Sequence, residues 1–135
     1  MTLSSGRTPI ASRVVQSFTH AALSPDPDLA VAALMIARLE YPKLDAGPYL
    51  DRLDALGNEA RRRVEEASVA PQNIPPRVDP IRFARVMALN DYMFSELRFA
   101  GNDMHYEDPR NSCLNEVIDR RTGIPITLAL VYMEV

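Results

Sequence analysis

Four prolines fall within the ten residues from Pro71 to Pro80, and no continuous helix can cross them, because an internal proline removes a hydrogen-bond donor and clashes with the preceding turn. Residues 71–80 therefore read as an extended connector between a front helical layer, 1–70, and a second helical part, 81–135, together one compact unit. Elsewhere proline marks where helices begin and end. In Asp26-Pro27-Asp28 the Asp26 carboxylate is able to cap free amides and Pro27 is preset for the first helical turn, Asp79-Pro80 repeats the pair, and Asp45 to Pro48 is a further start signal. Tyr41-Pro42 closes a helix, since the ring disfavours a helical residue before it.

Apolar periodicity fills the intervals. Ile10, Val14, Val15 and Phe18 predict a helix near 9–21, and Leu29 to Leu39, apolar on nearly every side, predicts one lying between other helices. Tyr49, Leu50, Leu53, Leu56, Ala60 and Val64 carry a third to about Ala67, in which Gly57 reads either as a close helix contact or as a tolerated glycine. Phe83, Val86, Met87, Met93, Phe94 and Leu97 predict a long helix ending near Ala100-Gly101, with its methionines in the core. Gly101 to Asn111 reads as a loop, with Asn111 or Ser112 capping a short helix whose inner face is Leu114, Val117, Ile118 and Arg121 and whose stop is Gly123. A last apolar helix starts at Pro125. It calls for covering neighbours, so the expectation is a fragment or a chain whose partner covers that end. No strand is legible, and the fold class is all-α, a helical bundle.

Composition excludes several functions. A net charge of −3 and a pI near 5.3 argue against nucleic acid or an acidic membrane as partner, and Arg61-Arg62-Arg63 runs into Glu65-Glu66 as a solvated face. The longest apolar run, Leu29 to Ala37, is far short of the roughly 20 residues that cross a bilayer. One cysteine excludes an intrachain disulfide, and with the absence of a secretory apolar segment after Met1 it leads to an expected cytoplasmic location. His20, His105 and Cys113 have no metal-ligand spacing, and no cofactor motif is present. His105, Asp108 and Cys113 are the residue types of a thiol enzyme within one short stretch. Proximity in sequence is not geometry, and a small buried cysteine is the commoner outcome. Asp108 and Asn111 read as residues that organise the loop.

The central block Asn90, Phe94, Glu96-Leu97, Phe99, Gly101-Asn102, Tyr106, Asp108-Pro109, Asn111-Ser112, Leu114, Val117 and Gly123-Ile124-Pro125-Ile126 resembles the SirB/YchA family of bacterial transglutaminase-like proteins. Glu40-Tyr41-Pro42 and the leucine-rich run from Tyr49 to Leu56 extend the resemblance forward. It implies the helical front part of an α+β transglutaminase-like fold whose second half carries a sheet and a histidine-bearing segment. The chain departs from the family at Arg98, where glycine is usual, and at Cys113, where an aromatic or aliphatic residue is more common. By analogy the nucleophile would start the helix after Gly123, yet Ile124, Pro125, Ile126 and Thr127 include no thiol and only one hydroxyl. The resemblance thus implies a non-catalytic module with a regulatory or protein-binding role. Asn102, Tyr106, Asp108, Asn111 and Arg121 form its motif loop, its partner is a protein, and homo-oligomers through Ile124–Val135 are an option. The alternative is a thiol acyl-transferase or cysteine protease using Cys113 or residues further downstream.

Overall fold

The computed structural model describes residues 9–67 and 74–135. Residues 1–8 and 68–70 of the expected front layer and 71–73 of the expected connector lie outside these. The helices are α1 (Pro9–Ala22), α2 (Leu29–Ala37), α3 (Gly47–Glu66), α4 (Pro80–Asn90), α5 (Leu114–Arg120) and α6 (Pro125–Glu134), with a π-helical turn at Asp91–Glu96 and a 3-10 turn at Pro109–Ser112. The two strands, β1 (Ala100–Gly101) and β2 (Thr122–Gly123), are two residues each, so the fold class is all-α.

Aspartates start two of these helices. Asp28, rather than Asp26, caps α2 by accepting the Val31 amide at 2.9 Å, and Asp79 caps α4 by accepting the amides of Ile81 and Arg82. Leu34, Ala30 and Ala37 of α2 are buried, but Ile36 stays 47% exposed, so this helix has an open side that the sequence does not announce. Gly57 of α3 faces the end of α6, where an added Cβ would lie 3.5 Å from the Val135 carbonyl oxygen. One core joins Leu34, Leu53 and Ala60 to Tyr92, Met93, Phe99, Leu114, Val117, Ile118 and Val131, drawing on both sides of the connector.

The π turn changes which side of the fourth helix faces inward. The Leu97 amide donates to the Tyr92 carbonyl at 2.9 Å, five residues back, so the turn holds one residue more than a regular helix and the stripe rotates. Tyr92 and Met93 are therefore both buried, whereas Val86, Met87 and Phe94 are about half exposed. The expected long helix with both methionines in the core is corrected accordingly.

After the turn the chain reverses through Arg98 at φ 60°, in the left-handed region that favours glycine. The Ala100 amide then donates to the Arg121 carbonyl at 3.0 Å and the Asn102 amide to that of Gly123 at 3.1 Å, giving a parallel pair in which Ala100 faces Thr122 and Gly101 faces Gly123. These strands were not legible because two residues have no alternation to detect. A non-glycine residue in the left-handed region costs about 1–2 kcal/mol, and glycine's extra freedom in the unfolded chain offsets about half of that. Arg98→Gly is thus expected to stabilise the chain by about 0.5–1 kcal/mol, read as a higher urea midpoint at unchanged slope.

Candidate functional site

The loop between β1 and α5 is tied together by two asparagines. Asn102 Oδ1 accepts the His105 amide at 3.1 Å, and Asn102 Nδ2 donates to Asn111 Oδ1 at 3.1 Å. Asn111, fully buried, donates through Nδ2 to the carbonyls of His105 at 2.9 Å and Tyr106 at 3.1 Å, so both of its side-chain N–H donors are used on this loop. Its own carbonyl accepts the Thr127 hydroxyl at 2.7 Å, which links the loop to the first turn of α6. Thr127 Oγ1 also accepts the Ile124 amide at 3.2 Å and so caps α6.

Three local expectations are corrected here. Neither Asn111 nor Ser112 caps α5: Asp108 caps the 3-10 turn by accepting the Arg110 amide at 3.0 Å, and Cys113 holds the α5 cap position without a side-chain bond. Arg121 is exposed, not inward; it ends α5 at φ 55°, and its guanidinium donates to the Leu97 carbonyl at 2.9 Å. Gly123 does not supply the left-handed stop. It is buried in β2, where an added Cβ would lie 2.7 Å from Thr127 Oγ1 and 3.1 Å from both Val117 methyls, so it is required for space.

The front-layer motifs meet the same helix. Tyr41, from the Glu-Tyr-Pro run, donates to Glu116 Oε1 at 3.0 Å, and Tyr49 donates to Asp119 Oδ2 at 2.8 Å beside the Arg52–Asp119 ion pair. The sequence carries no signal that marks Glu116 or Asp119 as partners, beyond their being acids on a short helix. Asn115, also unforeseen, is buried with its Oδ1 unbonded.

The chemistry of the candidate residues follows from these surroundings. Burial pushes the Cys113 thiol up, and the nearby Glu40 and Glu116 carboxylates push it further, so the thiolate is disfavoured. The Asp108 carboxyl is held down at about 2, first by the Arg110 guanidinium, then by the Arg110 amide, with Arg120 at 3.9 Å adding to the effect. His105 is exposed, and among the described residues no hydrogen bond joins the side chains of His105, Asp108 and Cys113. The Thr127 hydroxyl has two backbone acceptors in reach, the Asn111 carbonyl at 2.7 Å and the Ile124 carbonyl at 3.1 Å. Among the described residues no group of three or more His, Cys, Asp or Glu is placed to hold a metal ion, and no helix is long and apolar enough to cross a membrane.

Asp108 gives a pH prediction with a definite sign. Its folded pKa lies below the ordinary value of about 3.9, so its contribution to stability is complete above about pH 4 and is lost as pH falls toward 2. Asp108→Asn is expected to flatten the acid-unfolding curve in that window and leave its shape near neutrality unchanged.

Residues 48–135 match the family model of the transglutaminase-like superfamily. The chain is 41% identical over 107 residues to the UPF0162 proteins of two strains of Xylella fastidiosa, covering 79% of this chain and 34% of each relative. A shorter match, 42% identical over 48 residues, covers 36% of this chain and 8% of the F-box only protein 21 of Mus musculus. No solved structure matches. The chain thus spans about a third of the length of the curated relatives it matches over most of its residues. The family match covers the loop between β1 and α5, Gly123 and α6 together, and the chain belongs to the transglutaminase-like superfamily.

Proposed function

We propose that the chain is a SirB/YchA-like member of its superfamily that works in the cytoplasm as a non-catalytic, protein-binding and regulatory module. The observation that carries the reading is the outer stripe of α6. Ile126 is 72% exposed and Met133 68% exposed, Ala129 lies exposed between them, and the stripe carries no charge. Beside it Phe94, half exposed, stacks on Tyr132 at 5.9 Å between ring centres. Such a contiguous apolar face is suited to another protein surface, a second copy of the chain included. The start of the same helix supports the non-catalytic part of the reading, because its one hydroxyl is bonded to the Asn111 and Ile124 carbonyls and the adjoining Ile124, Pro125 and Ile126 carry no thiol or imidazole.

Sedimentation velocity from low to high micromolar concentration tests the stripe, with association expected for the native chain and absent in the Ile126→Lys, Met133→Lys double variant. A chain that stays monomeric throughout removes homo-association from the reading. Incorporation of a fluorescent amine into a glutamine-bearing acceptor protein, abolished by Cys113→Ala, would end the non-catalytic reading.

A further inference from the structure

The loop from Asp103 to Glu107 presents side chains that the fold does not use. Met104 is 87% exposed and Tyr106 59% exposed, while the backbone beneath them is held by Asn102 and Asn111. A backbone already fixed loses little freedom when a partner docks on it. Met104, His105, Tyr106, Glu107, Asp108 and Arg110 line an open depression of about 490 Å³, room for one large side chain. Its charges are unequal. The Arg110 guanidinium is committed to Asp108, whereas among the described residues neither Glu107 nor the adjacent Asp103 has an ion-pair partner.

An aromatic face, a thioether and the uncompensated Glu107 carboxylate, with Asp103 adjoining in the loop, together suit a long cationic side chain. Its stem can lie along Met104 and its charge over the Tyr106 ring and against Glu107. We propose that this loop receives a basic peptide segment of a partner protein, with one Arg or Lys side chain seated in the depression. The proposal rests on the protein-binding reading above but on a surface other than α6. The carboxylates weigh against nucleic acid as the occupant, since phosphates would meet like charge.

The test uses arrays of short fluorescent peptides with a central Arg or Lys and randomised flanks, beside matched arrays with central citrulline or Glu. The expected result is binding to the cationic arrays, about tenfold or more weaker for citrulline and absent for Glu. Binding should drop by a similar factor in Glu107→Lys and in Tyr106→Ala, both at exposed positions and checked for folding by circular dichroism, and should be unchanged in the Ile126→Lys, Met133→Lys variant. No binding to the cationic arrays, equal binding to citrulline peptides, or indifference to both loop variants would overturn the proposal. Loss in the α6 variant alone would overturn it too, while leaving the protein-binding reading in place.

Discussion

Replacing Asn111 with alanine is expected to destabilise the chain by about 3–5 kcal/mol. The substitution removes the two donors that serve the His105 and Tyr106 carbonyls and the acceptor that serves Asn102 Nδ2, all in a fully buried position. Each net hydrogen bond is worth about 1 kcal/mol, a buried group left unpaired costs about 1–3, and the vacated volume adds to both. Such a loss would take a large share of the roughly 5–15 kcal/mol that holds a typical domain together. Urea unfolding reads the loss directly. Asn102→Ala, which breaks one shared side-chain bond and the bond to the His105 amide, should cost less, about 1–2 kcal/mol. The two losses should not add in the double variant, because the Asn102–Asn111 bond is counted in both. Asn111→Asp should be at least as damaging as Asn111→Ala, since it places a carboxylate against two carbonyl oxygens.

Gly123→Ala is expected to cost about 2–4 kcal/mol. The new methyl would sit 2.7 Å from Thr127 Oγ1, closer than carbon and oxygen can approach, and 3.1 Å from both Val117 methyls in the core. Thr127 can turn away only by giving up its bonds to the Asn111 carbonyl and the Ile124 amide. Overpacking therefore becomes the loss of the α6 cap and of the tether between α6 and the loop. A double-variant cycle isolates this cause. Thr127→Ala alone should cost about 1–2 kcal/mol as a lost cap, and Gly123→Ala in that background should cost clearly less than in the native chain. Equal costs in both backgrounds would place the strain at Val117 instead.

Much of the scaffold is legible in the sequence for identifiable reasons. Asp79 stands where a carboxylate can reach free amides, the start of α2 is marked although its cap is Asp28 and not Asp26, and Leu53, Ala60, Leu114, Val117 and Ile118, which recur at helical spacing, are all buried. The π turn was hidden because one extra residue leaves no local mark, although it decides that Phe94 faces outward. Asn111 could be read as a residue that organises the loop, but its partners Asn102 and Thr127 come from β1's end and from α6, and a single sequence does not state that proximity. Gly123 reads in the sequence as a helix stop, whereas crowding by Thr127 and Val117 is what requires it, and crowding and left-handed backbone leave the same letter. The Tyr41–Glu116 and Tyr49–Asp119 bonds join positions 75 and 70 apart in sequence, a distance over which no local pattern can announce a partner.

Asn102, Asn111 and Thr127 brace the loop and α6, and on the proposed non-catalytic reading Cys113 is an inert, buried thiol. Alkylation of Cys113 by iodoacetamide tests this most directly, followed by intact mass at about pH 6 and about pH 8, for the folded chain and for the chain in urea. The expected result is labelling of the folded chain at least a hundredfold slower than in urea, and negligible labelling at the lower pH, as burial and the Glu40 and Glu116 carboxylates require. Fast labelling of the folded chain at about pH 6, slowed by His105→Ala, would show an activated thiolate and contradict it.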